Sequence, residues 1–126
     1  ALEAIFEVLK TQWNIPSLRI IKPFYDQTWY LEALKEIATP WIEDFKPDHL
    51  LLSYHGLPVR HLEKSHCQPC QGESPAQETK QTAFCYRAQC FASARAMRSL
   101  LQPLPISVAF QSRLGRIPWI QPYLED

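Results

Sequence analysis

The residues best suited to chemistry are four cysteines in one short window, Cys67, Cys70, Cys85 and Cys90. Their spacing is Cys-x2-Cys-x14-Cys-x4-Cys, so two close pairs are separated by a polar stretch. Paired thiolates of this kind are typical ligands of a metal centre. Four thiolates suit zinc and a [2Fe–2S] cluster equally well, so the spacing leaves both open. A disulfide pair and four unrelated thiols are the remaining alternatives.

The second cysteine pair also constrains the local structure. In one continuous helix, the five-residue step from Cys85 to Cys90 would turn their side chains roughly 140° apart, too far to bind one metal. We therefore expect a helix to begin between them, with Cys90 in its first turn. There the positive end of the helix would favour the thiolate form.

A histidine ends the apolar run Leu50-Leu51-Leu52-Ser53-Tyr54-His55, and Gly56-Leu57-Pro58 then redirects the chain. The run predicts a strand buried on both faces. His55 would lie at its carboxyl end, where open α/β sheets bind ligands. An imidazole can accept a proton near neutral pH, which makes His55 a candidate base. A structural histidine with local hydrogen bonds is the alternative.

Polar residues also follow a second predicted strand, because Gln111-Ser112-Arg113 comes directly after Ile106–Phe110. In a parallel sheet both carboxyl ends face one crevice, so this loop is expected near Ser53-Tyr54-His55. For Gln111 and Ser112 the alternative is a turn that satisfies its own hydrogen bonds. For Trp119 the alternative is a packed core aromatic.

Hydrophobic periodicity predicts the elements that position these residues. Apolar stripes indicate helices near residues 2–9, 30–45 and 90–101, and Pro40 is expected to kink or divide the second. A further short strand is predicted at Leu18–Ile21, and residues 62–83 are predicted to form a loop or insertion. The resulting order of helices and strands predicts an α/β fold with a parallel sheet and right-handed crossovers.

Composition narrows the class of protein. The chain has 126 residues and no formal net charge, which disfavours nucleic acid and anionic membranes as main partners. No apolar stretch is long enough to span a membrane, and the acidic start does not resemble a signal peptide. The start without methionine suggests a fragment of a longer chain. Without a secretory signal, reduced cysteines that bind a metal are favoured over disulfides.

Two motifs resemble signatures of the ferrochelatase family, the enzymes of the terminal step of heme synthesis. Residues 53–58, Ser-Tyr-His-Gly-Leu-Pro, resemble the Ser-x-His-x-x-Pro signature. Residues 110–122 resemble the second signature, Gln-Ser-(Lys/Arg)-x-Gly…Pro-Trp-x-x-Pro. Residues 19–26 and the helix after them are also similar to this family. Two motifs in the family's order are more specific than either alone, and only the cysteine-bearing stretch lies outside the resemblance.

The resemblance implies a fold and a reaction. The fold would be a Rossmann-like, chelatase-type parallel sheet flanked by helices, with residues 1–126 as one partial C-terminal domain and residues 61–90 as a cysteine-bearing loop insertion. The reaction would be insertion of ferrous iron into a porphyrin dicarboxylate, with His55 as proton acceptor or metal-site residue. The implied substrate-binding residues are Ser53, Tyr54, Gly56, Leu57, Pro58, Gln111, Ser112, Arg113 and Trp119.

The resemblance also bears on the cysteines. Many ferrochelatases carry a [2Fe–2S] cluster, in some bacterial forms on internal cysteines, which implies the same for Cys67, Cys70, Cys85 and Cys90. In this chain residues 85–90 replace the family's Gly-Asp-x-Tyr-Pro segment and keep its tyrosine as Tyr86. A stabilising role is expected, because metal insertion leaves the oxidation state of iron unchanged. A non-catalytic zinc-binding module and a related tetrapyrrole chelatase are the alternatives.

Departures from the family limit what this chain is expected to do. The family pairs its histidine with a glutamate that would lie beyond Asp126, and most of the family's N-terminal half has no counterpart here. The remainder of the same chain is therefore expected to complete the cleft, and these residues alone are expected to be inactive. Porphyrin and ferrous iron are the expected partners, without nucleic acid. The expected localisation is cytoplasmic, with peripheral membrane contact of the full-length enzyme left open.

Overall fold

The structure, a computed structural model, describes residues 2–64 and 84–125 of the chain. These residues form four helices and two strands in the order α1 (Leu2–Leu9), α2 (Thr28–Phe45), β1 (Leu50–His55), α3 (Val59–Lys64), α4 (Tyr86–Leu100) and β2 (Ile106–Gln111). The two strands pair in parallel, with Leu50 opposite Ile106 and His55 opposite Gln111. The α/β class and the parallel pairing that the sequence predicts are confirmed.

The two faces of this sheet differ in burial. Along β1, half-buried residues alternate with exposed ones. Leu50 and Leu52 belong to the covered face and pack near Leu31 of α2 and Met97 of α4. The opposite face is exposed and carries Leu51, Ser53 and His55. The prediction of a strand buried on both faces is therefore wrong for the described residues, because α2 and α4 pack on one side.

The core consists of two clusters of buried side chains. One joins α2, α4 and the start of β2 through Leu31, Met97 and Ile106. The other, called here the strand-end cluster, contains Leu62, Cys85, Ala88, Cys90, Phe91, Phe110 and Ile120. Because Phe110 precedes the last residue of β2 and is only 1% exposed, this second cluster supports the carboxyl ends of the strands.

The structure tests two further predictions from the sequence, the strand at Leu18–Ile21 and the effect of Pro40 on α2. No strand forms at Leu18–Ile21, where Ile20 and Ile21 are 55% and 79% exposed. An isolated apolar run cannot form a strand unless a neighbour pairs with its backbone. Of the two effects predicted for Pro40, a kink or a division, division does not occur, because α2 is continuous from Thr28 to Phe45. Since that part of α2 is exposed, water can satisfy the carbonyl left without an amide partner.

The cysteine-bearing stretch begins and ends in helix. Leu62, the first residue of the predicted loop, lies instead in α3 and is 3% exposed. The helix α4 begins at Tyr86. Cys67 and Cys70 fall in residues 65–83, outside the described residues. In the part of the chain that the structure describes, no helix combines the length and apolar character needed to cross a membrane.

Candidate active site

His55 is the last residue of β1 and lies on the exposed face of the sheet. Its ring Nδ1 is 2.6 Å from the carbonyl oxygen of Gly56. A carbonyl oxygen only accepts hydrogen bonds, so this contact assigns the proton of the neutral ring to Nδ1 and a lone pair to Nε2. The Nε2 atom is therefore the one that can take up a proton or bind a metal ion.

Gly56 lies where three segments of the chain meet. Its amide donates to the carbonyl oxygen of Gln111 at 2.7 Å, which extends the contact between the strands by one residue. A Cβ atom at Gly56 would lie 2.7 Å from that oxygen and 3.3 Å from Cε3 of Trp119. A larger residue therefore requires the backbone to move. The absence of a side chain lets β2 and Trp119 close on the strand end beside His55.

A short antiparallel bridge between Pro58 and Trp119 fixes the segment that follows β2. Two backbone hydrogen bonds of 3.0 Å join residues 57–59 to residues 118–120. The indole Nε1 of Trp119 donates to the carbonyl oxygen of Leu114 at 3.0 Å, which holds the polar edge of the ring. These contacts bring Pro58 and Trp119 together beside Gly56, as a wall of the site would require.

The exposed Gln111-Ser112-Arg113 segment turns away after meeting β1. Gln111 pairs with His55, and Ser112 has a φ of 71°, in the left-handed region. The Nε atom of Arg113 lies 3.4 Å from the Glu125 carboxylate, and its guanidinium lies 4.6 Å from the centroid of the Tyr123 ring. The structure thus brings Gln111 beside His55 and directs Arg113 to the tail of the chain.

Ser53 and Tyr54 point to opposite faces of the sheet. Ser53 shares the exposed face with His55. Tyr54 lies on the covered face, with its ring 6.2 Å from that of Phe110 and its hydroxyl bonded to Ser93. Burial raises the pKa of Tyr54, so its hydroxyl stays protonated. The structure does not bring Tyr54 to the His55 face, and Leu57 packs against the strand-end cluster.

Cys85 and Cys90 lie on either side of the start of α4. Cys85 is the N-cap residue, so a helix does begin between the two cysteines as predicted. Cys90 is the fifth residue of α4, however, and lies in the second turn instead of the first. Both belong to the strand-end cluster, with Cys85 0% and Cys90 4% exposed.

The protonation expected for Cys90 is also wrong for this structure. Burial raises the pKa of the Cys90 thiol to about 11. The helix start was expected to favour the thiolate, but loss of water disfavours the charged form more strongly. Repulsion from Cys85 adds to the rise, and attraction to Arg87 opposes it. The thiol of Cys90 is therefore protonated near neutral pH when no metal is bound.

Two of the four cysteines can be tested for fit to a metal. Among the side chains of residues 2–64 and 84–125, no group of three or more His, Cys, Asp or Glu could hold a metal ion. That part of the chain contains Cys85 and Cys90 but not the other pair. Both thiols lie in the strand-end cluster, shielded from water, and the cationic Arg87 acts on that of Cys90. This environment fits half of an anionic tetrathiolate site, for zinc or for an iron–sulfur cluster.

Tyr86 belongs to the site although no role was predicted for it. Its hydroxyl donates to the carbonyl oxygen of His55 at 3.0 Å, across 31 positions of sequence. The same side chain is hydrogen-bonded to Cys90. The one available signal in the sequence was the match of Tyr86 to the tyrosine of the Gly-Asp-x-Tyr-Pro segment.

Comparison with known proteins identifies the family of this chain. The Ferrochelatase family model matches residues 1–126. A ferrochelatase of Ectopseudomonas mendocina is 51% identical over 116 residues, covering 84% of this chain and 33% of that protein. A ferrochelatase of Legionella pneumophila is 39% identical over 128 residues, covering 100% of this chain and 38% of that protein.

A ferrochelatase of Pseudomonas fluorescens gives a similar result, with 51% identity over 117 residues, 84% of this chain and 33% of that protein. The chain thus spans about a third of the length of these relatives. No solved structure gives a significant match. The family model covers every residue of the chain, including both strand ends and all four cysteines, and the chain therefore belongs to the ferrochelatase family.

Proposed function

We propose that this chain carries the histidine side of a site that inserts ferrous iron into a porphyrin dicarboxylate during heme biosynthesis. The observation that carries the proposal is the 2.6 Å contact between His55 Nδ1 and Gly56 O, which leaves the Nε2 lone pair free on the exposed face. The reaction in the proposal is inferred from the membership of this chain in the ferrochelatase family. Ferrous iron is a substrate here.

The proton balance of the reaction gives His55 its role. When Fe²⁺ binds the four porphyrin nitrogens, the two pyrrole N–H groups lose their protons and the oxidation state of iron stays the same. A neutral imidazole with a lone pair on Nε2 can accept one of these protons, or it can bind the incoming iron. The half-buried Trp119, which is backed by the buried Pro58 beside Gly56, offers an apolar wall against which a flat macrocycle can pack.

The remainder of a longer chain is proposed to complete this cleft. The chain spans about a third of the curated ferrochelatases it matches, and the exposed His55 face has room for a covering segment. We propose that these 126 residues alone have no chelatase activity. Measurable iron insertion by the isolated chain would contradict that. A cytoplasmic location, with peripheral membrane contact of the full-length enzyme, is part of the same proposal.

The role of His55 is tested by His55→Ala in the full-length enzyme. We expect turnover to fall by at least about a hundredfold, the usual loss for a general base. His49→Ala is a matched control, because His49 directly precedes the opposite end of β1 and its Nε2 contacts the exposed Ser107 hydroxyl at 2.9 Å. Equal turnover of His55→Ala and the wild-type enzyme would remove the proposed role.

We further propose that Cys67, Cys70, Cys85 and Cys90 hold a [2Fe–2S] cluster that stabilises the strand ends. The burial of Cys85 and Cys90 among the residues that support both strands favours a structural role. Protein purified without oxygen should be brown and contain two irons per cluster, as four-thiolate [2Fe–2S] sites require. Colourless protein with stoichiometric zinc would favour the zinc alternative, and failure to bind iron on anaerobic reconstitution would exclude the cluster.

A further inference from the structure

The peptide group between His55 and Gly56 is held at both of its ends. At one end its carbonyl oxygen, which belongs to His55, accepts a hydrogen bond of 3.0 Å from the Tyr86 hydroxyl. At the other end its amide, which belongs to Gly56, donates at 2.7 Å to the carbonyl oxygen of Gln111. Because a peptide group is planar, these two bonds together fix its orientation.

The orientation of this peptide group affects the imidazole of His55 through one further hydrogen bond. The next carbonyl along the chain, that of Gly56, accepts from Nδ1 of His55 at 2.6 Å. Rotation of the His55–Gly56 peptide would move this carbonyl, and the ring would lose the partner that assigns its lone pair to Nε2. Three hydrogen bonds thus connect the imidazole to its surroundings through the His55–Gly56 peptide. Of these three, only the bond from Tyr86 is made by a side chain other than that of His55.

Tyr86 is itself firmly placed. It is the first residue of α4, follows the fully buried N-cap Cys85, and packs against the strand-end cluster. Its hydroxyl donates to the carbonyl oxygen of His55 and is also in hydrogen-bond contact with Cys90, one turn along the helix. Tyr86 therefore joins the cysteine-bearing helix to the backbone of the candidate base.

We propose that Tyr86 is a positioning residue for His55, which acts by holding the His55–Gly56 peptide in the orientation that keeps Nε2 available. The inference rests on the proposed function of His55. It assigns to the tyrosine a purpose other than packing or metal binding, because the hydroxyl reaches the strand end while the ring packs against the strand-end cluster.

The test is Tyr86→Phe in the full-length enzyme, with Tyr30→Phe as a matched control. The control removes a hydroxyl from the partly buried Tyr30, which packs on the other core cluster. Loss of one hydrogen bond used for positioning should lower kcat by about three- to tenfold and leave the KM for porphyrin unchanged. Thermal unfolding and the content of iron or zinc should match those of Tyr30→Phe.

A double-mutant cycle separates positioning from general stability. In a His55→Ala background, Tyr86→Phe should have no further effect on kcat, because the group that it positions is gone. An equal loss in both backgrounds, an unchanged kcat, or a loss of bound metal would each overturn the inference. If His55→Ala alone leaves turnover unchanged, the proposed function fails instead, whatever Tyr86→Phe does.

Amide hydrogen exchange gives a readout independent of activity. Tyr86→Phe should speed exchange at Gly56, whose peptide group loses one of its two partners, and leave exchange within α4 unchanged. Unchanged exchange at Gly56 would show that the hydroxyl does not hold this peptide, and would also overturn the inference.

Discussion

The strand ends and the cysteine-bearing start of α4 are neighbours, but different interactions hold their residues in place. At the strand ends, His55 and Gly56 are held by hydrogen bonds between described residues, including those from Gly56 to Gln111 and from His55 to Gly56. The cysteine region instead places two thiols in a hydrophobic core, where burial keeps that of Cys90 protonated. The first region is organised by backbone hydrogen bonds, whereas the second is organised by the burial of side chains.

The difference shows where chemistry can be inferred from geometry alone. A histidine whose Nδ1 meets a carbonyl has its free nitrogen defined without any ligand. A buried thiol has two roles that look alike in the absence of metal, as a small apolar side chain or as a ligand. The Tyr86 side chain is one contact between the two regions, beside the packing of the strand-end cluster that they share. The substitutions below test whether this division holds.

The largest effect is expected from Gly56→Ala. The new Cβ would lie 2.7 Å from the Gln111 carbonyl oxygen, so the strand ends must separate, at a cost of about 3 kcal/mol. Turnover should fall with stability, because the same movement disturbs the carbonyl that holds His55 Nδ1. Chemical denaturation and steady-state kinetics of the full-length enzyme measure the two effects.

Gly115→Ala is the matched control for that change. Gly115 has a φ of 70° but nothing within 4 Å of an added Cβ, so the cost is backbone strain alone, about 1–2 kcal/mol. Turnover should be retained. If both alanine variants lost turnover equally, the close approach at Gly56 would have no special importance for the site.

A somewhat smaller effect is expected from substitutions of Cys85. These substitutions distinguish a Cys85 that binds a metal from a Cys85 that only packs in the core. If Cys85 binds the metal, Cys85→Ser and Cys85→Ala should both lose visible absorption and metal content. If Cys85 only packs, both variants should keep the metal. In either case serine should cost about 1–3 kcal/mol more than alanine, because it places a hydroxyl at a fully buried position. Anaerobic metal analysis and denaturation of the two variants give the answer.

The two regions also differ in how far the sequence predicted them. The parallel pairing, the position of His55 at a strand end and a helix start between Cys85 and Cys90 all follow from local patterns, and the structure has each of them. The protonation of Cys90 was predicted wrongly, because burial in a cluster built from distant segments outweighs the local effect of the helix end.

Other features of the site depend on contacts that no local pattern contains. The bond from Tyr86 to His55 joins residues 31 positions apart, and the closeness of Gly56 to Trp119 depends on how the segment after β2 returns. The one-sided burial of β1 was likewise missed, because the Leu50-Leu51-Leu52 run is apolar on both faces while only one is covered by α2 and α4. Periodicity defines faces, but tertiary packing decides which of them are buried.

A moderate effect is expected from Arg87→Leu, which tests how α4 supports the strand ends. The buried Arg87 donates to the carbonyl oxygen of Gln121 at 2.8 Å and lies 4.6 Å from the centroid of the Phe91 ring. Losing both contacts should cost about 1–2 kcal/mol. Arg95→Leu, at an exposed position of the same helix, should change stability by less than about 0.5 kcal/mol. Similar stabilities of the two variants would mean that Arg87 does not tie α4 to the segment after β2.

The smallest effect on stability is expected at Arg113, the residue for which substrate binding and tail contact compete most directly. Its 3.4 Å ion pair with Glu125 joins two half-exposed side chains, so Arg113→Ala and Glu125→Ala should each cost less than about 1 kcal/mol. If Arg113 also meets a porphyrin carboxylate, only Arg113→Ala should raise the KM for porphyrin. Equal KM values for the two variants would assign Arg113 to the tail, and the contribution of β2 to the site would then end at Gln111, whose carbonyl holds Gly56.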